Sequence, residues 1–195
     1  MRNNKNIDII SAQEAVKKLF NSLSITLTNE TPERFVNMIR DFTQYQNVSN
    51  KEIAKSVQKT FKIDNYTKSK NMVLTKNIET FSLCEHHIAL MYNMKISIAY
   101  VPQNFVLGLS KIVRAVGMIC KRLQLQEKIG NDIIEVMSIL TKSLDVAVHI
   151  KAKHSCITAR GANNFPTETI TTNFAGIFSQ DNTTKKLFLN SVSTD

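Results

Sequence analysis

The feature that most constrains this chain is the order of its helix and strand signals: helices, two strands, two helices, two strands and a terminal helix. Alternating βαβ units would build a parallel sheet, whereas this order builds an α+β fold with a largely antiparallel one. Ser11-Ala-Gln-Glu14 has the form of a capping box, followed by Ala15, Val16, Leu19, Phe20 and Leu23 at amphipathic spacing. Thr31-Pro32 starts a second helix that carries Phe35, Val36, Met38, Ile39 and Phe42 inward. A polar, Lys/Asn-rich stretch over 50–70 holds a short helix near 51–60.

Residues 71–83 are rich in β-formers, and Met94 to Tyr100 alternates apolar with polar, so one face is buried. Gly108-Leu-Ser110 opens a helix running to about 124, with Ser110 as its N-cap. Another near 127–142 carries Ile129, Ile133, Val136, Met137 and Leu140. Val146, Val148, Ile150 and Ala152 alternate along a strand that leads into His154 and Cys156. His149 shares a side with Lys151 and Lys153 and reads as a surface residue. Residues 167–178 suit a last strand, and Thr183 to Leu189 a short terminal helix.

At 195 residues the chain suits one compact domain. It has no N-terminal apolar leader and no apolar run approaching the ~18 residues of a membrane span, which points to a cytoplasmic protein without a membrane partner. The net charge of +9 fits an anionic partner: nucleic acid, membrane surface or phosphorylated metabolite. The basic residues are scattered rather than massed, so charge alone does not choose among them.

Three cysteines, an odd number without a secretion signal, argue against a disulfide framework. Cys120 sits among residues of helical apolar spacing and reads as a small buried hydrophobe. Cys84 and Cys156 keep other company, in Cys84-Glu85-His86-His87 and His154-Ser155-Cys156. Thiolates with imidazole suit Zn²⁺ in a reducing cytosol. On a strand, His154 and Cys156 face the same way, while Cys84 and His87 converge only if a turn follows Cys84. Two sites remain open: a closed structural one using Cys84, His87, His154 and Cys156, or a catalytic one with three protein ligands and a position for water. The neighbouring His86 and Glu85, which have no structural task, favour catalysis.

SLCEHH, IAYVP, GLSKIVR, RLQLQE and HSCITARG occur in that order, with TPERF upstream and TITTNFAGIF downstream. Together they resemble GTP cyclohydrolase I over nearly everything after residue 30. The resemblance implies a tunnelling fold: an antiparallel β-sheet with a helix pair on one face, preceded by N-terminal helices. It divides a single compact unit into a helical region, 1–65, and a catalytic domain, 66–195. It implies a homodecamer of two face-to-face pentamers, with active sites between subunits and no nucleic-acid partner.

It also implies that Zn²⁺ is held by Cys84, His87 and Cys156, and that GTP is the substrate. A water activated by the metal would attack C8 of guanine, with His154 as general acid and His86 assisting ring opening. Loss of C8 as formate and closure of the rearranged ribose then give 7,8-dihydroneopterin triphosphate, the first product of folate and pterin biosynthesis. Glu127 would accept guanine N1–H and the 2-amino group, a pair adenine does not offer. Gln126 and Glu85 would be further substrate contacts. Ser110, Lys111 and Arg114 at a helix start, with Arg160, would hold the triphosphate, and Ser110 would also act in the ribose rearrangement. The chain departs from the pattern in two places: one extra residue between His87 and Tyr100, and Asn77 where aspartate is usual. A regulatory extension of the animal kind is not expected. The rival readings are another tunnelling-fold pterin or deazapurine enzyme, and a non-enzymatic zinc-stabilised nucleic-acid-binding protein. The second would predict clustered basic residues with interleaved aromatics, which the sequence lacks.

Overall fold

The structure, a computed structural model, describes residues 8–62, 71–103 and 105–193. Three helices open it: α1 (Ile9–Ser22), α2 (Thr31–Phe42) and α3 (Asn50–Val57). Then follow β1 (Thr60–Lys62), β2 (Val73–Cys84), β3 (Ala89–Tyr100), β4 (Phe105–Leu107), α4 (Leu109–Cys120), β5 (Leu123–Gln124) and α5 (Gln126–Thr141). The chain closes with β6 (Val146–His154), α6 (Ser155–Thr158), β7 (Thr169–Phe174), α7 (Ile177–Gln180) and α8 (Asn182–Ser193). The α+β class expected from the element order is the one observed. The expected boundary between residues 65 and 66 lies outside the described residues.

Five strands form the main sheet in the order β5-β2-β3-β6-β7, antiparallel throughout except that β5 runs parallel to β2. Alternation along β3 and β6 sends Ile96, Ile98, Tyr100, Val146, Val148 and Ile150 to one face, where they pack with Ile112, Val116 and Ile119 of α4 and Ile129, Ile133 and Val136 of α5. Ile53, Ala54 and Val57 bring α3 into the same core. The opposite face is also covered at one end, because Ala99, Val101 and Ala147 pack beneath Phe178 of α7 and Phe188 of α8. Cys120 is 1% exposed, and burial pushes its thiol up to about 12, which makes it the inert core residue expected.

Several local expectations are corrected. The first helix starts before Ser11, because the Asp8 carboxylate accepts the Ser11 backbone N–H at 2.9 Å and caps the helix from there. Ser110 likewise lies inside the first turn of α4, behind an N-cap at Gly108. The last strand stops at Phe174, since Gly176 turns the chain at φ +55° into α7. Leu19, Leu23 and Met38 are exposed. They sit on a pair of helices that pack chiefly against each other, with Phe20 edge-on to Phe35. His149 does share its side with Lys151, but it is half-buried and its Nδ1 has no partner among the described residues.

Two bulges shape the sheet. Asn77, at φ +57°, adds a residue to β2 between Thr75 and Ile78; asparagine is one of the few residues that tolerates this conformation. Asn93, at φ +48°, lies where β3 holds one residue more than β2 on one side and β6 on the other. β3 thus accommodates one residue more than each of its two neighbours here.

Two measurements test this packing. A Cβ on Gly176 would lie 2.2 Å from Asp145 Oδ1 and 2.8 Å from the Leu144 backbone, so Gly176→Ala should cost about 2–4 kcal/mol in denaturant unfolding. Burial and then the Lys151 charge lower the His149 pKa below its ordinary 6.5. The unfolded chain therefore takes up the proton first, and stability falls as pH drops below about 6.5. His149→Gln should make that acid limb shallower, as read by unfolding midpoints across pH.

Candidate metal centre

β2 ends at Cys84, residues 85–88 form a turn, and β3 leaves from Ala89, so His87 folds back beside Cys84 as the spacing requires. Cys156 arrives differently from the strand geometry expected of it. β6 ends at His154, and Cys156 lies on the single turn of α6, which Thr158 pins to β3 through a 3.0 Å bond with Tyr92 Oη. β2 and β6 are separated by β3, a gap of about 9.5 Å at ordinary strand spacing, which the turn after Cys84 and the α6 turn close between them. The ligand atoms of Cys84, His87 and Cys156 all lie within 4.8 Å of one another. Cys84 is buried, Cys156 half-buried and His87 exposed.

This donor set fits a metal ion. Burial, and next the adjacent Cys84 sulfur, push the Cys156 thiol up, so the two sulfurs crowd each other unless a cation lies between them. Two thiolates and an imidazole are the ligands of a tetrahedral ion with one position left over. His154 is outside this set. Its Nε2 lies 2.7 Å from Gln126 Oε1, and its pKa is lowered by burial, an effect partly opposed by the Glu127 carboxylate.

The remaining expected residues divide into two groups. Glu85 and His86 are exposed on the turn beside Cys84, with the His86 ring edge-on to His87. Gln126 and Glu127 open α5 next to His154, Gln126 buried and Glu127 exposed, and Arg160 lies close enough to Cys156 to act on its thiol. Ser110, Lys111 and Arg114 stand apart from these. They occupy the first turns of α4, at most about 15 Å (Ser110) and at least about 9 Å (Arg114) of helix before its end at Cys120, beyond which β5 pairs with Cys84. A cleft of about 680 Å³ lined by Glu79, Lys95, Lys121, Lys151, Lys153 and Glu168 contains none of the cluster's ligands.

Sequence reasoning missed the residue that holds Cys84 in place. Arg122, 6% exposed, donates from Nε to Tyr45 O, from Nη1 to Asn50 Oδ1 and Asp132 Oδ2, and from Nη2 to Val48 O, at 2.8–3.2 Å. One residue on, β5 pairs Leu123 with Leu83 and Gln124 with Cys84, and Gln124 O accepts the Glu85 N–H at 3.3 Å. Only the helix that brings Asn50 to Arg122 left a local signal: Ser49-Asn-Lys-Glu52 is a capping box, and both of its bonds form.

The family model for GTP cyclohydrolase I matches residues 12–193. A GTP cyclohydrolase 1 of Ruminiclostridium cellulolyticum is 47% identical over 163 residues, 82% of this chain and 84% of that protein. GTP cyclohydrolase 1 of Clostridium beijerinckii is 42% identical over 180 residues, 89% and 91% of the two chains. That of Clostridium botulinum is 42% identical over 181 residues, 90% and 92%. The chain belongs to the GTP cyclohydrolase I family. No helix among the described residues is long and apolar enough to cross a membrane.

Removing Arg122 would leave the Asp132 carboxylate, 9% exposed, with only the more exposed Lys128 as an ionic partner. Arg122→Met should destabilise the fold by about 3–5 kcal/mol in denaturant titration. If β5 is what fixes Cys84, the same variant should also bind Zn²⁺ more weakly in a competition with a chromogenic chelator.

Proposed function

We propose that this chain catalyses the zinc-dependent hydrolytic opening of the guanine imidazole ring of GTP, releasing formate and giving 7,8-dihydroneopterin triphosphate. The observation that carries this reading is the Cys84–His87–Cys156 cluster, with His154 held beside it but not in it. Zn²⁺ bound there supplies a Lewis acid that brings the pKa of a coordinated water near neutrality. The rest falls to the chain's own residues. His154 delivers a proton to the imidazole-ring nitrogen as C8 becomes tetrahedral. His86, exposed on the turn, assists proton transfer as the ring opens. Glu127 orients the base by accepting N1–H and the 2-amino group, and Glu85 serves as a further substrate contact.

Ser110, Lys111, Arg114 and Arg160 hold the triphosphate, with Ser110 also serving the ribose rearrangement. The distance from the start of α4 to the cluster supports a site shared between chains, in which one subunit's α4 faces its neighbour's metal. Two further observations support an oligomer. Among the described residues β7 pairs only with β6, and most of β2 pairs only with β3, so both sheet edges offer backbone groups to another copy. Leu19, Leu23 and Met38 also lie uncovered on α1 and α2. A tunnelling fold closed into a homodecamer of two pentamers, acting in the cytoplasm, fits these features. The product would feed folate and pterin synthesis.

Zinc-loaded protein given GTP should release formate and dihydroneopterin triphosphate in equal amounts. His154→Ala should keep its zinc and lose about 10²–10⁴-fold in turnover. If zinc is lost in proportion to activity, His154 is a fourth ligand and the site is structural.

A further inference from the structure

Gln126 was expected to touch substrate, yet its side chain is 1% exposed and fully engaged within the protein. Its Nε2 lies 3.3 Å from Ile150 O on β6, 3.1 Å from Thr169 O and 3.2 Å from Thr171 Oγ1 on β7. Two of these partners are carbonyl oxygens, which can only accept. Turning the amide over would set Oε1 against both carbonyls, three acceptors facing one another with no hydrogen between them, so its orientation is settled by chemistry. Oε1 therefore faces His154 Nε2 at 2.7 Å, and an amide oxygen can only accept.

From this we infer that Gln126 is a positioning residue: it holds His154 with a hydrogen on Nε2, so that Nδ1 is the ring atom that exchanges a proton with the substrate. The inference rests on the reading of His154 as the acid in GTP ring opening. The bond also sets the plane of the ring. Gln126 is the first residue of α5, and its amide bridges β6 and β7 where Ile150 pairs with Thr171. Side chains that orient a functional histidine in this way typically carry a 10–100-fold effect on activity when removed (about that range).

The test is the ¹⁵N magic-angle-spinning spectrum of zinc-loaded, histidine-labelled protein near pH 8, where the unperturbed ring is neutral. The His154 signals are assigned by their loss in His154→Asn. The expected wild-type pattern is a protonated Nε2 and an unprotonated Nδ1; a protonated Nδ1 with a bare Nε2 overturns the inference. Gln126→Met should abolish the preference for Nε2–H and lower kcat about 10–100-fold. It should do so with KM and zinc content little changed. Gln126→Glu, which keeps an acceptor facing the ring, should retain Nε2–H. A rise in KM with the tautomer intact would instead make Gln126 a substrate contact and overturn the proposal. If neither variant folds, the wild-type spectrum decides alone. That spectrum needs no turnover, so a protein inert toward GTP would refute the assigned reaction without altering the tautomer result.

Discussion

A guanidinium removed from water costs several kcal/mol unless its N–H groups find acceptors. Arg122 finds them in two backbone carbonyls, an asparagine and a carboxylate. Those acceptors come from the segment joining α2 to α3, from the first residue of α3 and from α5, so one buried charge ties the N-terminal helices to the pair that covers the sheet. The chain leaves Arg122 directly into β5, whose two residues lie parallel to the last two of β2. Cys84, one of the three residues that could hold a metal ion, is therefore braced by an ion pair that never touches it. The fold and the cluster share one constraint.

The parts of this architecture that repeat along the chain were legible in its sequence. Alternation over Met94–Tyr100 and Val146–Ala152 announced the two central strands, and the 3.6-residue spacing of Ile129, Ile133, Val136 and Leu140 announced α5. The two Cys/His clusters announced the group of Cys84, His87 and Cys156, which could hold a metal ion. What stayed hidden has no period. β5 is two residues long, too short for alternation to register. The buried partners of Arg122 on the N-terminal side lie 72 to 77 positions away, and nothing local distinguishes that arginine from one in solvent. Cys156 reaches the cluster on a helical turn, although its neighbours read as a continuing strand. The engagement of the Gln126 amide with His154, β6 and β7 left no local pattern either.

The half of the site that binds phosphate in our reading and the half that holds the cluster lie at opposite ends of α4. That separation turns the helix into a spacer of about 18 Å. A rigid helix packed on a sheet keeps such a distance well, so the spacing between successive sites in an assembly would be set by core packing rather than by loops. The sheet edges left open at β2 and β7, and the apolar residues uncovered on α1 and α2, lie in the elements that would join one copy to the next.

The three residues of the cluster also emerge from the ribosome in two instalments. Cys84 and His87 precede Cys156 by about seventy residues, which at ordinary elongation rates of about 5–20 residues per second is an interval of several seconds. β6 cannot dock on β3 until it has been made, so throughout that interval the growing chain carries part of the cluster without the rest. A thiol and an imidazole alone hold an ion weakly, and the thiol remains open to oxidation until its counterpart arrives. The burial of Cys84 in the finished protein closes that exposure, and the order of the strands along the chain decides how long it lasts.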